Sequence, residues 1–255
     1  MFEDLAGQTA VVTGGARGLG LSLATALASQ GVSVALLDVL PQVTESAAAL
    51  AADHGVRAAG YVVDVTDADA VDAAVGQAEI DLGTASVLIT AAGVTIWGDS
   101  VDVEPATWRK VLSINLDGTF YAAQSFARRA LPGGGPASVI MISSMSGLVI
   151  NQPQSQASYS ASKAAVGQLA KALAVEWAAS GIRVNAIAPG YFLSDMTRTF
   201  TEANPDLAAQ WVASIPLGRM GDPSDLHGLV VYLASSASSY LTGQNIVIDG
   251  GYTSL

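Results

Sequence analysis

The sequence predicts a single-domain α/β fold, with a doubly wound parallel sheet of about seven strands and helices on both faces. Short apolar runs alternate with longer helical stretches along all 255 residues. The predicted strands are apolar throughout, which is typical of a parallel sheet that is buried on both faces. No linker, repeat or low-complexity block divides the chain, so the repeated β-α-β order indicates one doubly wound domain.

The predicted strands are runs rich in β-branched and other apolar residues. They lie at residues 9–14, 33–38, 59–65, 87–93, 138–143, 183–189 and 245–249.

The predicted helices follow these strands and are bounded by capping residues, prolines and glycines. They lie at residues 18–30, 41–53, from a cap at Thr66 or Asp67 onward, 105–131, 157–180 and 223–235. Pro132 and the three glycines after it are expected to end the long middle helix. Residues 194–211 indicate short helices in an irregular stretch, and residues 191–221 are the candidate for a mobile substrate lid.

Composition excludes several classes of function. The chain has 22 acidic and 11 basic residues and a net charge of -11, so nucleic acid and anionic membranes are not expected as partners. It has no cysteine, which excludes thiolate nucleophiles and cysteine metal sites. Its only histidines, His54 and His227, lie far apart in the sequence, so no metal site is predicted. The start of the sequence lacks a signal-peptide pattern and no run is long enough to span a membrane, so a cytoplasmic location is expected.

A glycine-rich turn follows the first strand and opens the first helix. Gly14, Gly18 and Gly20 would let the backbone approach a pyrophosphate at the N-terminus of the helix. Asp38 ends the second strand, where an acid would reach the ribose hydroxyls of a dinucleotide. The turn and the acid together predict a dinucleotide site.

A tyrosine and a lysine form the candidate reacting pair. Tyr159 and Lys163 are four residues apart, so they share one face of a helix after the fifth strand. A tyrosine that acts as a base needs its pKa lowered from about 10 to about 7–8, and a neighbouring ammonium and the positive nicotinamide of a bound cofactor both have the sign that does this. Ser144, directly after the fifth strand, is a candidate donor to the substrate oxygen. No G-x-S-x-G turn supports a serine hydrolase.

These motifs resemble the short-chain dehydrogenase/reductase family over nearly the whole chain. The turn at residues 13–20 fits the family pattern TGxxxGxG, and the resemblance implies a Rossmann-type fold that binds NAD. Residues 90–93 read Thr-Ala-Ala-Gly where the family has NNAG, so only Ala92 and Gly93 match there. The implied cofactor-binding residues are Gly14, Arg17, Gly18, Leu19, Gly20, Asp38, Asp64, Val65, Ala92, Gly93, Tyr159, Lys163, Pro189, Gly190 and Phe192.

The resemblance also implies a catalytic set. Its members are Asn115, Ser144, Tyr159 and Lys163. Ser146 would give the more usual interval to Tyr159, but Ser144 stands at the family's distance from Gly147 and is preferred. The family further implies a homotetramer.

The predicted activity is an NAD-dependent alcohol dehydrogenase or carbonyl reductase that acts on a small secondary alcohol or ketone. The alternatives are a 3-oxoacyl-carrier-protein reductase and a non-enzymatic dinucleotide sensor. Asp38 favours NAD over NADP because it would repel a 2′-phosphate, whereas Arg17 would attract one.

Two sets of side chains predict different substrates. Amides between Ser144 and Tyr159 favour a polyol, as in the polyol dehydrogenase branch of the family. Apolar side chains, most of them aromatic, at and near the candidate lid favour a bulky or aromatic secondary alcohol. The first set is Asn151, Gln152, Gln154 and Gln156, and the second is Trp97, Tyr191, Phe192, Met196 and Trp211. The predicted substrate contacts are Ser144, Asn151, Gln152, Gln154, Tyr191 and Trp97.

Overall fold

The computed structural model describes residues 2–254 and contains one seven-stranded parallel sheet. Its strands are β1 Thr9–Thr13, β2 Ser33–Asp38, β3 Ala58–Val62, β4 Val87–Thr90, β5 Ala137–Ile142, β6 Ile182–Pro189 and β7 Asn245–Ile248. The spatial order is β3-β2-β1-β4-β5-β6-β7, so the strand order reverses between β1 and β4. Ligands of such sheets bind at the carboxyl ends of the strands beside this reversal.

Helices cover both faces of the sheet. They are α1 Gly18–Ala28, α2 Val43–His54, α3 Ala68–Leu82, α4 Pro105–Leu112, α5 Gly118–Gly133, α6 Ala157–Trp177, α7 Asp195–Ala203, α8 Pro205–Ala213 and α9 His227–Ala234. One apolar cluster joins the sheet to α1, α2 and α9, and a second joins it to α3, α5 and α6. The predicted α/β class, with a core on each side of the sheet, is therefore confirmed.

The predicted helix over residues 105–131 is present, but it contains a π-helical segment that the sequence did not indicate. After α4 the chain forms a π-helical segment, Ser113–Asp117, before α5 begins. In that segment the N–H of Gly118 donates to the carbonyl oxygen of Ser113, five residues earlier. Pro132 also lies inside the last turn of α5 rather than beyond its end, at an exposed position.

Several other boundaries differ by a few residues. Asp67, not Thr66, caps α3, and its carboxylate accepts from the N–H groups of Asp69 and Ala70. The second helix begins at Val43, two residues after Pro41. The fourth strand ends at Thr90, because the following residues leave the sheet to meet the glycine-rich turn. These differences do not change the order of the elements.

A third apolar cluster lies outside the sheet, in the region predicted as a lid. Trp211, Ile215 and Met220 form its buried centre. The C-terminal turn packs against it: the N–H of Leu217 donates to the carbonyl oxygen of Gly250, 3.1 Å away. The Asp249 carboxylate in turn accepts from the N–H groups of Gly251 and Thr253. The end of the described chain therefore supports the lid segment.

Within residues 2–254, no helix is both long enough and apolar enough to cross a membrane.

Candidate active site

The glycine-rich turn is packed so closely that side chains would not fit at Gly14 and Gly20, two of its four glycines. A Cβ at Gly14 would lie 2.7 Å from the backbone nitrogen of Ala92, and one at Gly20 would overlap the carbonyl oxygen of Gly14. Gly18 has a positive φ of 61°, and a Cβ there would lie 3.9 Å from the Cβ of Ser194. The N-terminus of α1 has no side-chain cap, so its N–H groups are available to a ligand. This backbone cradle fits the pyrophosphate of a nicotinamide dinucleotide.

Asp38 is fixed at the carboxyl end of β2 by the backbone around it. Its Oδ2 accepts from the N–H of Ala16 in the turn, and its Oδ1 accepts from the N–H of Leu40, both at 3.0 Å. The carboxylate is thereby held beside the turn, where a ribose would lie. Arg17 is exposed on the same turn.

Thr13 supports residues 90–93, where the sequence reads Thr-Ala-Ala-Gly and the family has NNAG. The N–H groups of Ala91 and Ala92 donate to the carbonyl oxygen and to Oγ1 of Thr13, at 3.2 Å and 3.3 Å. Among the described residues, the buried Oγ1 of Thr90 has no hydrogen-bond partner. Thr13 therefore holds this segment against the turn.

The other predicted cofactor residues lie at the same edge of the sheet, with one difference. Asp64 is exposed in a local turn and Val65 is buried beside it. Pro189 ends β6, and a Cβ at Gly190 would meet the backbone of Asp249 at 2.7 Å. The ring of Phe192 is buried in the main core, so only its backbone is free for the predicted cofactor contact.

Ser144 and Tyr159 are brought together at the carboxyl end of β5. Ser144 lies within hydrogen-bonding reach of the Tyr159 hydroxyl and its Oγ also lies 3.2 Å from Ser146 Oγ, whereas Ser146 bonds Ser144 and Gln156. The geometry therefore favours Ser144 over Ser146 as the serine beside the tyrosine. Burial raises the pKa of Tyr159 above its usual value, and the bond from Ser144 only partly opposes this.

Lys163 is buried on the same face of α6. Its side chain is 4% exposed, its Nζ donates to the carbonyl oxygen of Ile142 at 2.7 Å, and burial lowers its pKa to about 8. Its Nζ lies 5.8 Å from the centre of the Tyr159 ring. In the protein without its cofactor, the pKa of Tyr159 is therefore raised and not lowered.

Asn115 ties three segments together from the π-helical segment. Its Oδ1 accepts from the N–H of Val94 at 2.8 Å, and its Nδ2 donates to the carbonyl oxygen of Val94 and to Oγ of Ser162. Ser162 in turn donates to the carbonyl oxygen of Tyr159. A Cβ at Gly93 would lie 3.3 Å from Asn115 Oδ1 and 3.4 Å from Lys163 Nζ, so both groups flank Gly93.

The predicted substrate residues divide into two groups. Gln154 Nε2 donates to the Tyr191 hydroxyl at 2.8 Å, Asn151 lies against the same hydroxyl, and Gln154 Oε1 also accepts from Trp211 Nε1 at 3.2 Å. Gln152 is exposed and has no part in this network among the described residues. Trp97 packs edge-on against Phe200 and Trp211, with ring centres 5.1 Å and 6.2 Å apart.

The sequence analysis missed three residues around the site. Ser162 lies inside the Tyr-x-x-x-Lys motif, so the motif itself could have indicated that this serine contacts the backbone of Tyr159. Tyr252 lies 5.7 Å from Tyr191, centre to centre, and Phe200 stacks on Trp211. No local pattern marks these two contacts. The side chain of Met196, predicted as one of the apolar side chains near the candidate lid, lies outside the described residues.

No group of three metal-ligating side chains occurs in the part of the chain that the structure describes.

Comparison with known proteins decides the family. The sequence profile described as Enoyl-(Acyl carrier protein) reductase matches residues 14–253. A galactitol 2-dehydrogenase (L-tagatose-forming) of Cereibacter sphaeroides is 42% identical over 98% of this chain and 96% of its own length. The chain belongs to the short-chain dehydrogenase/reductase family.

Solved structures of short-chain dehydrogenase/reductases match the whole architecture. One from Mycobacterium marinum has a TM-score of 0.93 at 39% identity, over 99% of this chain and 98% of that one. An NADPH-dependent 3-quinuclidinone reductase from Rhodotorula rubra has a TM-score of 0.90 at 37% identity, over 100% of this chain and 95% of that one. Sorbose reductases and D-arabinitol 2-dehydrogenases from yeasts are further relatives, so the chain lies in the polyol dehydrogenase branch.

Proposed function

We propose that this short-chain dehydrogenase/reductase is an NAD-dependent polyol dehydrogenase that interconverts a secondary alcohol and the corresponding ketone. The observation that carries the proposal is that Ser144 lies within hydrogen-bonding reach of the Tyr159 hydroxyl, on the helix face that also carries buried Lys163. This pair lies at the edge of the sheet that holds the glycine-rich turn and Asp38. The relatives among polyol dehydrogenases support the substrate class.

In this proposal Tyr159 exchanges the proton of the substrate oxygen, and Ser144 donates a hydrogen bond to that oxygen. Lys163 holds the ribose and keeps a positive charge near the phenol. When bound, the oxidised dinucleotide supplies the hydride acceptor and a second positive charge. Such a charge is needed because burial raises the pKa of Tyr159 in the protein alone. Asn115 holds the segment after β4 through Val94, and it holds the helix that carries Tyr159 through Ser162.

The choice of NAD rests on Asp38. Its carboxylate is fixed by two backbone N–H groups and is available to ribose hydroxyls. An added 2′-phosphate would meet this negative charge, whereas the exposed Arg17 would attract it. Some relatives use NADPH, so the balance between these two residues needs a direct measurement.

A second candidate function, the oxidation of bulky or aromatic alcohols, is favoured by the aromatic wall of Trp97, Phe200 and Trp211. An acyl-carrier-protein substrate is disfavoured, because a chain with a net charge of -11 would repel an acidic carrier protein.

The substrate test compares kcat/KM for a five- or six-carbon polyol with that for an aryl secondary alcohol, with each cofactor in turn. We expect the polyol to be preferred, and NAD to be preferred to NADP by at least about tenfold, or about 1.4 kcal/mol. A preference of more than about a hundredfold for the aryl alcohol, about 2.7 kcal/mol, would replace the polyol by the second candidate. Equal or better turnover with NADP would mean that Arg17 outweighs Asp38.

The role of Tyr159 is tested by Tyr159→Phe, which removes only the hydroxyl. We expect kcat to fall by about a thousandfold, because the proton transfer is lost, while NADH binding measured by fluorescence is retained. The matched control is Tyr240→Phe at a fully exposed position, which should leave both quantities unchanged. Activity of Tyr159→Phe within tenfold of the parent would contradict the role.

We also propose that residues 191–221 form the substrate lid and that the protein is a homotetramer. The separate apolar cluster of this segment supports the lid. Trp108 on α4 and Val175 on α6 are exposed apolar side chains on helix faces, which supports an interface. Light scattering that gives a monomer at micromolar concentration would remove the tetramer.

A further inference from the structure

Asn151 is a buried amide with one unused hydrogen-bonding atom. It lies in the loop between Ser144 and Tyr159, and its side chain is 3% exposed. Among the residues that the structure describes, its Oδ1 has no hydrogen-bond partner. Buried polar atoms are nearly always partnered, so an unpartnered carbonyl oxygen indicates a donor that the protein itself does not supply.

The other end of this amide is held in place. Asn151 lies within hydrogen-bonding reach of the Tyr191 hydroxyl, and because Oδ1 makes no bond, Nδ2 is the atom that faces this hydroxyl. Gln154 Nε2 donates to the same hydroxyl at 2.8 Å, while Gln154 Oε1 accepts from Trp211 Nε1. Tyr191 also stacks on Trp211, with ring centres 4.5 Å apart. The amide of Asn151 therefore has a fixed orientation.

The loop that carries Asn151 lies beside the reacting groups. At its far end, Gln156 Nε2 donates to Ser146 Oγ, which also accepts from Ser144 Oγ at 3.2 Å. Tyr191 follows β6 and lies at the same edge of the sheet as this loop, because Ile187 of β6 pairs with Ile142 of β5. Ser144 and Tyr191 both follow this pairing within a few residues, at the same edge of the sheet.

We propose that Asn151 Oδ1 accepts a hydrogen bond from a second hydroxyl of the substrate, one or two carbons from the reacting carbon. This makes Asn151 a specificity-determining residue, and Gln154 and Tyr191 position it. A substrate without that hydroxyl leaves the buried oxygen unpartnered and is selected against. The inference rests on the proposed dehydrogenase function and adds that the protein distinguishes hydroxyketones from simple ketones.

The test compares three four-carbon ketones with the reduced cofactor: 3-hydroxybutan-2-one, 4-hydroxybutan-2-one and butan-2-one. We expect kcat/KM for the better hydroxyketone to exceed that for butan-2-one by at least about thirtyfold, or about 2 kcal/mol. In Asn151→Leu, which has a similar shape but no acceptor, this ratio should fall below about threefold. The matched control is Ser155→Ala, at an exposed position of the same loop, which should keep the parent ratio.

A second variant covers the case in which Asn151→Leu does not fold. Tyr191→Phe keeps the ring on Trp211 but removes the hydroxyl that orients Asn151, so the ratio should fall at least about fivefold. A parent enzyme that reduces all three ketones equally well overturns the inference and leaves the proposed function standing. An unchanged ratio in every folded variant also overturns it. A parent that reduces none of the ketones overturns the proposed function and this inference with it.

Discussion

Burial acts in opposite directions on the two titratable residues of the catalytic helix. It raises the pKa of Tyr159 and lowers that of Lys163, because in each case it disfavours the charged form. The spacing of the two residues was enough to predict that they are neighbours. It could not predict that Lys163 would donate to the carbonyl oxygen of Ile142, because that contact depends on how α6 packs on β5. The unpartnered Oδ1 of Asn151 could not be predicted from the sequence either, because it depends on contacts with Tyr191, which follows another strand.

The lowered pKa of Lys163 makes a prediction about stability without cofactor. The pKa is about 8 in the folded protein and 10.5 for a free lysine side chain, so the unfolded chain binds the extra proton between those pH values. The stability of the parent should therefore rise with pH in this range relative to Lys163→Met, which has no such proton. Between pH 7 and pH 10 the difference in free energy of unfolding should shift by about 2 kcal/mol in favour of the parent.

Urea unfolding of the parent and of Lys163→Met at pH 7 and pH 10 measures this shift. Lys171→Met, at an exposed position on the same helix, is the matched control and should keep a constant difference from the parent. A constant difference for Lys163→Met as well would mean that the ammonium is not desolvated as the structure indicates.

At the scale of elements, the largest difference from the sequence prediction is the π-helical segment between α4 and α5. Residues 105–131 have a continuous helical pattern, so the sequence predicts one helix. The π-helical segment Ser113–Asp117 adds a residue to one turn, and its hydrogen bonds leave no mark in the pattern of apolar residues. The family resemblance nevertheless singled out Asn115, which lies in that segment and contacts both Val94 and Ser162.

Asn115→Leu tests how much this junction contributes to stability. The substitution leaves the N–H and carbonyl of Val94 and the hydroxyl of Ser162 without their partner. The free energy of unfolding should fall by about 3 kcal/mol, because these groups lie in a partly buried place. Asn204→Leu, at an exposed position between α7 and α8, should cost less than about 1 kcal/mol. A loss of less than about 1 kcal/mol for Asn115→Leu in urea unfolding would show that other contacts hold the junction.

At the scale of the whole molecule, the sheet was predictable and the lid cluster was not. Alternating strands and helices leave few arrangements, because crossovers between parallel strands share one handedness. The lid cluster brings together Tyr191, Trp211 and Tyr252, which are far apart in sequence and follow no common period. The sequence therefore marked Tyr191 and Trp211 as apolar residues of this segment but gave no sign that Tyr252 packs with them.

Net charge gives a prediction for the whole molecule. With 22 acidic against 11 basic residues, repulsion between surface carboxylates opposes the folded state. Raising sodium chloride from about 0.05 M to about 0.5 M should screen this repulsion and raise the thermal midpoint by about 2–4 °C, for about 1 kcal/mol. Differential scanning fluorimetry measures the midpoint, and the same titration with sucrose serves as an uncharged control. A midpoint that falls with salt would mean that attractive ion pairs such as Arg129–Asp72 dominate instead.

The packing of the C-terminal turn on the lid has a practical consequence for preparing this enzyme. The Asp249 carboxylate folds the turn back on itself, and Gly250 and Gly251 lie against Ile215 and Pro216. An affinity tag or fusion partner joined directly after this turn would be held against the proposed substrate lid. Purification and surface immobilisation should therefore use the other terminus, which lies beside α1 and the loop after α9.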